Sequence, residues 1–364
     1  MSAPPAPRRT RESKDQQDAG RAAAQEEIVV TTSTEPLFIA HFVEMCGGWR
    51  PRRDLDNVRI HFWRARQSFW GLPFGEPFPG GVDVPSEILD HILSFVGGQT
   101  LDLSHNQIVD VAPLQHLTQL QELELSVNRI VDVAPLQHQT QLRALSLHDN
   151  DIRNIAPLQH LTQLQDLVLA NNGIVDVAPL RHLTQLRKFD LRFNNVVDVS
   201  PLRCFTQVRM LLNGNRIVDF SPLQHMYPQP LNLGVNDIID LTPLRHFPWV
   251  QDLWLGSNRI INVAPLQHLT QLQYLDLQNN QIINVAPLQH LTQLVELRLD
   301  CNSIVDVAPL QHLTQLKWLR LDDNRIHDVA PLQHLTQLLS LNLRFNSSIN
   351  DITPLRHFEE IVEW

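Results

Sequence analysis

Cysteine is scarce in this chain: Cys46, Cys204 and Cys301 are its only three among 364 residues. They are too few and too scattered for a disulfide framework, and they point to a reducing, cytoplasmic setting. Long apolar runs are also missing. The longest are broken by Asp, Pro or Gln, so no segment is expected to span or anchor in a membrane. The opening MSAPPAPRRTRESKDQQDAG has basic residues but no apolar stretch behind them, which a secretory signal requires. Basic charge is in deficit, with 29 Lys and Arg against 39 Asp and Glu and a net charge of −10. A nucleic-acid partner is therefore not expected, because phosphate binding needs a basic surface. Glycine numbers only 13, and no glycine-rich phosphate loop, GxSxG elbow or HExxH pair occurs. Neither an enzyme nor a cofactor or metal site is expected, which leaves a protein partner.

Residues 1–30 are rich in Ala, Pro, Gln and charge, and read as a disordered tail. Residues 31–98 differ, with Phe38, Phe42, Trp49, Phe62, Trp63, Phe69, Trp70, Phe74 and Phe78. That aromatic density suits a small core or packing against a neighbour. The segment ends in VPSEILDHILSFVGG, where Pro85 suits a first helical turn and Gly97-Gly98 stops it. Ile88, Leu89, Ile92, Leu93 and Val96 share one face, so a helix is predicted over 85–97. It reads as a cap on whatever follows.

From Leu101 onward one phrase recurs, LxLxxNxIxDVAPLxHLTQLxx. Its asparagine falls at Asn106, Asn128, Asn150, Asn172, Asn194, Asn215, Asn236, Asn258, Asn280, Asn302, Asn324 and Asn346. The step is 22 residues except for two steps of 21 that flank Asn215. We number the repeats as coils 1–12 by these asparagines. Alternating leucines such as Leu123 and Leu125 have the period of a short strand with one buried face. Such a strand is stable only when copies stack into a parallel sheet. The asparagine turns the chain inward, where its amide can satisfy main-chain groups of its own and the neighbouring coil. Leu114, Leu117 and Leu120, three residues apart, predict a short 3₁₀ or helical return on the other side. At four coils Ser200, Ser221, Thr242 or Thr353 precedes the proline, which reads as a helix start. The predicted fold class is α/β. It is a solenoid with a curved parallel sheet on its concave face, 3₁₀ or helical turns on its convex face and an N-terminal helical cap.

The 22-residue length and the DVAPLxHLTQL phrase resemble the internalin-like leucine-rich repeats over residues 99–358. They are also similar to the regulatory subunit of type-1 protein phosphatase that is built from the same repeat class. The resemblance implies a leucine-rich repeat array, here followed by a short end at 359–364, that works by binding partners.

Comparing the coils with one another separates scaffold from surface. The DVAPL phrase barely changes, whereas the positions around the strand leucines and before the asparagine vary. Early coils place Glu122, Glu124, Asp149 and Asp166 there. The middle supplies Lys188, Asp190, Arg192 and Phe193. The C-terminal third supplies Trp254, Tyr274, Asp276, Glu296, Arg298, Asp300, Trp318, Arg320, Asp322, Arg344 and Phe345. Aromatics and arginines among polar residues are the usual make-up of a binding hot spot. The expected function is a monomeric cytoplasmic adaptor or scaffold that binds a protein on this face. The alternatives are a phosphatase regulatory subunit, an F-box-like substrate receptor of a ubiquitin ligase or, third, an exported adhesin.

Other patterns receive structural readings. A histidine recurs in the returning segment, as at His116, His138 and His160, because one coil sequence is repeated; a straight row offers few converging metal ligands. The Asp ladder from Asp110 to Asp351 is replaced by Asn at 154, 262 and 284, which suits capping rather than calcium. VPSEILDHILSF resembles the opening helix of an F-box, without the two helices that should follow. Arg59-Ile60-His61-Phe62 resembles a phosphatase docking motif. The two short steps carry Gly214, Pro228, Pro230 and Gly234, and read either as a change of curvature that opens the concave face or as a tolerated defect.

Overall fold

A computed structural model of the protein describes residues 100–363 apart from 227, 228 and 359, together with the main chain of Glu26–Thr31 and Asn57–Trp63. Each coil turns once through a short strand, such as Glu122–Glu124, and once through a 3₁₀ turn, such as Ala134–His138. Successive strands pair in parallel and in fixed register, Leu123 opposite Leu145 and Leu145 opposite Leu167. The paired leucines point inward and are almost fully buried, as are Ile130, Val133 and Leu136 on the way round. Each coil thus adds a layer to one continuous apolar core, at about 1.5–3 kcal/mol per buried aliphatic side chain. Glu26–Thr31 and Asn57–Trp63 extend the sheet ahead of coil 1 in the same parallel sense. They lie within the segments read as tail and cap, while the helix expected over 85–97 falls outside the described residues.

The asparagine ladder takes the form that the repeat implies. Asn128 Oδ1 accepts from the main-chain N–H of Asn106 at 3.1 Å and of Ile108 at 2.8 Å in the preceding coil. Its Nδ2 donates to the carbonyls of Leu103 at 3.0 Å, Leu125 at 2.9 Å and Ser126 at 3.2 Å. One buried amide therefore closes its own turn and ties it to its neighbour.

On the convex side the aspartate caps the turn. Asp110 Oδ1 accepts from Ala112 N–H at 2.8 Å, and Asn154 and Asn262 do the same at 3.0 Å and 2.9 Å. This corrects the reading of Ser200, Ser221, Thr242 and Thr353 as helix caps. They are the first residues inside their turns, and Val199, Phe220 and Leu241, which precede the first three, make no side-chain cap bond. Ser221 and Thr242 instead donate their hydroxyls to Asp219 and Asp240. Gln139 occupies a leucine slot of coil 2. It is wholly buried, its Nε2 donates to Leu114 O, and its Oε1 has no partner.

The two short steps break the sheet. Coils up to 6 belong to one sheet of eight strands and coils from 7 onward to another of seven. Where coil 5 has Arg187 and Lys188 before the inward Phe189, coil 6 has Arg209 alone before Met210, and coil 7 has Pro230 before Leu231. Arg209 donates its N–H to Arg187 O at 2.9 Å. Proline has no N–H to repeat that bond. Val208 O takes the side-chain amide of Gln229 instead, at 3.1 Å. The ladder resumes at Gly214 N–H to Gly234 O, 2.9 Å. Gly214 has φ +75°, and a Cβ on it would run into the Phe193 ring of the preceding coil, so a side chain here would have to displace that ring.

Candidate partner-binding surface

Strand geometry places two variable residues of each coil on the concave face. Tyr274 and Asp276 flank the inward Leu275, and they face Glu296 and Arg298 of the next coil and Asp252 and Trp254 of the previous one. The Trp254 and Tyr274 rings meet diagonally at 4.8 Å between centroids. Arg298 lies over the Tyr274 ring, its Cζ 5.7 Å from the ring centre, and its guanidinium bonds Glu296 at 2.8 Å. One coil further on, Arg320 reaches toward Asp300 at 3.7 Å and Asp322 at 3.5 Å. Arg344 reaches Glu363 at 3.3 Å. Trp318 is 41% exposed beside this chain of contacts. The structure therefore brings Trp254, Tyr274, Glu296, Arg298, Trp318 and Arg320 onto one continuous patch.

Three predicted contact residues are not solvent-facing. Asp190, Asp276 and Asp300 are 3%, 5% and 6% exposed. The Asp190 carboxylate is covered by Arg192, which donates to both oxygens, at 2.7 Å for Nη2. Asp276 Oδ1 accepts the N–H of Gln278 at 2.9 Å, and burial holds its carboxyl above the ordinary carboxylate value. Burial pushes Asp300 up as well, and its Oδ1 has no hydrogen-bond donor among the described residues. These acids form a floor beneath the exposed aromatics and arginines.

Phe193 and Phe345 occupy a different kind of place. The residue before each ladder asparagine has a positive φ in every coil, from 51° at Asn279 to 75° at Gly214. There the chain leaves the strand, so this column forms the rim. Its members touch in succession, as Asn279 Nδ2 does Ser257 Oγ at 3.1 Å. Phe345 is 78% exposed on it. Nothing in the strand period signals this bend, and sequence comparison of coils could not separate rim from floor.

Lys188 stands exposed on the floor of coil 5, opposite Arg209. Between them and Trp254, where the ladder fails, a groove of about 510 Å³ is lined by Arg187, Arg209, Leu211, Pro230 and Asn232. The early acidic residues Glu122 and Glu124 lie far along the same face, and burial raises the Glu124 carboxyl. The histidines line the convex surface, all exposed, and several bond the neighbouring side chain of their own coil, as Arg181 Nε does His182 Nε2 at 3.0 Å. Among the described residues no three His, Cys, Asp or Glu side chains converge on one point. Arg59–Phe62 lies within the strand Asn57–Trp63, and its side chains are outside the description.

Comparison with known proteins follows this geometry. The family of leucine-rich repeats in paired copies matches residues 99–138, 140–182, 270–312 and 314–357. An internalin from Listeria monocytogenes, InlF, is 34% identical, with a TM-score of 0.66, over 73% of this chain and 80% of that one. The chain is a leucine-rich repeat protein with internalin-like repeats. The repeat family is generally a protein–protein interaction scaffold. A leucine-rich repeat protein of Leptospira interrogans shares the fold at 19% identity and a TM-score of 0.66, over 86% of this chain and 90% of that one. The functional domain of InlJ from Listeria monocytogenes shares it at 24% identity and 0.57, over 70% and 55%. No curated protein matches the sequence. Among the described residues no helix is long and apolar enough to cross a membrane.

Proposed function

We propose that this leucine-rich repeat protein is a non-catalytic adaptor or scaffold that captures a protein partner on the concave face of coils 8–12. The observation that carries the reading is the buried carboxyl of Asp276 on the floor beside the Trp254–Tyr274 ring pair. Asn232 and Asn342 occupy the same column and accept the same bond, from Gly234 and Arg344 N–H at 3.1 Å each. A neutral amide is thus enough for the fold. A buried carboxylate held up by desolvation is a standing cost, and such costs concentrate where a site has work to do. Asp300 adds a second buried acid, whose Oδ1 makes no hydrogen bond among the described residues and faces Arg320 Nε at 3.7 Å. A partner laid across Trp254 and Trp318 would cover these acids and meet the exposed rings and Arg320 above them. The reading keeps a cytoplasmic setting, in which the exposed thiols of Cys204 and Cys301 stay reduced. No observation favours the phosphatase, ubiquitin-ligase or adhesin alternatives over it.

The test begins with affinity capture from the native cell and identification of the partner, followed by calorimetry with purified proteins. Trp254→Ala and Trp318→Ala should each weaken binding by about thirtyfold, as a loss of ~2 kcal/mol at a hot spot does. Their thermal unfolding should match the parent's. Both mutants binding as tightly as the parent would sink the assignment.

A further inference from the structure

A second surface runs the length of the solenoid on its flank. Three residues past the ladder asparagine, nine of the first eleven coils expose a Val or Ile. The column runs from Val109 in coil 1 through Val218 and Ile239 to Val305 in coil 10. These side chains are 37–58% exposed, although the residue before each of them is core. Rungs such as Arg129 N–H to Ile108 O at 2.8 Å and Asp151 N–H to Ile130 O at 3.0 Å hold this stretch of each coil against the last. A parallel bridge between Asp132 and Asn154 continues the pairing. The aliphatic side chains therefore form one column at the coil pitch, apart from the concave floor.

Packing within the chain does not demand them. Arg153 and His327 hold the same position in coils 3 and 11, and both are exposed. Val gives way to Ile in coils 7–9, so the copies have diverged here while staying aliphatic. Two positions earlier, Gln107, Arg129, Asp151 and Gly173 show what an unconstrained position looks like. At about half exposure, the nine side chains present roughly 700 Å² of apolar surface, more than a typical monomer leaves open. That is close to the ~800 Å² per partner buried in a stable protein–protein interface.

We propose that this stripe is a self-association surface whose occupant is a second copy of the chain, in a twofold dimer. A ridge repeating at the coil pitch is matched along its length by another ridge of the same pitch, which a second copy supplies. Twofold interfaces are self-complementary. The two polar interruptions lie four coils either side of Ile239 in coil 7, so a dyad there sets Arg153 against His327 and aliphatic against aliphatic. The net charge of −10 argues against an anionic membrane as the occupant. The proposed dimer differs from the monomer expected from sequence, and it is independent of the concave-face proposal.

Sedimentation velocity and light scattering of the full chain over a concentration series test it. A species of twice the 41.8 kDa chain mass is expected, dissociating on dilution. Val218→Asp and Ile261→Asp should weaken dimerisation about a hundredfold by placing an unpaired charge in the contact, with unchanged circular dichroism. Trp318→Ala, on the other face, should leave the dimer intact, and Arg153→Val with His327→Val should tighten it. A chain that stays at 41.8 kDa throughout, or a dimer indifferent to both aspartates, overturns the proposal.

Discussion

At the scale of single residues, the asparagines and the positions next to them do most to define the fold, and two of their neighbours are at odds with it. Val127 and Val235 hold φ values of 55° and 56°, where a β-branched residue is least at ease. Other coils put Asn171 and Asn279 in that place. Val235→Asn should therefore raise the thermal midpoint, by about 1 kcal/mol in a denaturant titration; no change would mean that the bend stores no strain. Asp276→Asn tests the buried acid. Its carboxyl is held above the ordinary value, so the folded state binds the proton more tightly than the unfolded chain does. Its stability contribution is then best at low pH and lost as pH rises through the raised value. The asparagine variant should be more stable than the parent at pH 7 by about 1 kcal/mol, with the gap closing near pH 4. The asparagine ladder was legible because a polar residue fixed among leucines has few other uses. The positive φ beside it was not, since His, Asp, Phe, Cys and Val all occur there and none announces it.

At the scale of elements, the strand and the return turn were readable from leucine spacing. The capping assignment was not, because Ser or Thr before Pro has the look of a cap while the aspartate two residues earlier does the bonding. The interrupted sheet was half readable: prolines and a lost residue marked the place, and only the pairing showed that the ladder fails there. Gln139 and this gap together give a measurable outcome. Stacked coils unfold as neighbours coupled through their interfaces, so a weak interface separates cooperative units. Urea unfolding followed by hydrogen exchange should show coils 1–6 and 7–12 protected to different extents. Gln139→Leu removes a buried unpaired oxygen and should stabilise the first block by ~1–3 kcal/mol, with little effect on the second. Equal gains in both blocks would mean that coupling across the gap is intact.

At the scale of the whole molecule, the concave and flank surfaces divide the labour. The concave floor differs from coil to coil and suits recognition of something unlike itself; the flank repeats and suits recognition of itself. Comparing coils found the first because variation was the criterion. It passed over the second because a constant Val or Ile beside the constant core Ile looks like more scaffold until exposure is known. The gap between coils 6 and 7 has one more consequence. Pulled from its two ends, a stack of evenly bonded coils has no preferred place to part, but this one has a missing rung at Pro230, bridged by the side chain of Gln229. Force along the solenoid would concentrate there, and the molecule would give way as two intact halves joined by a short hinge rather than unravel coil by coil.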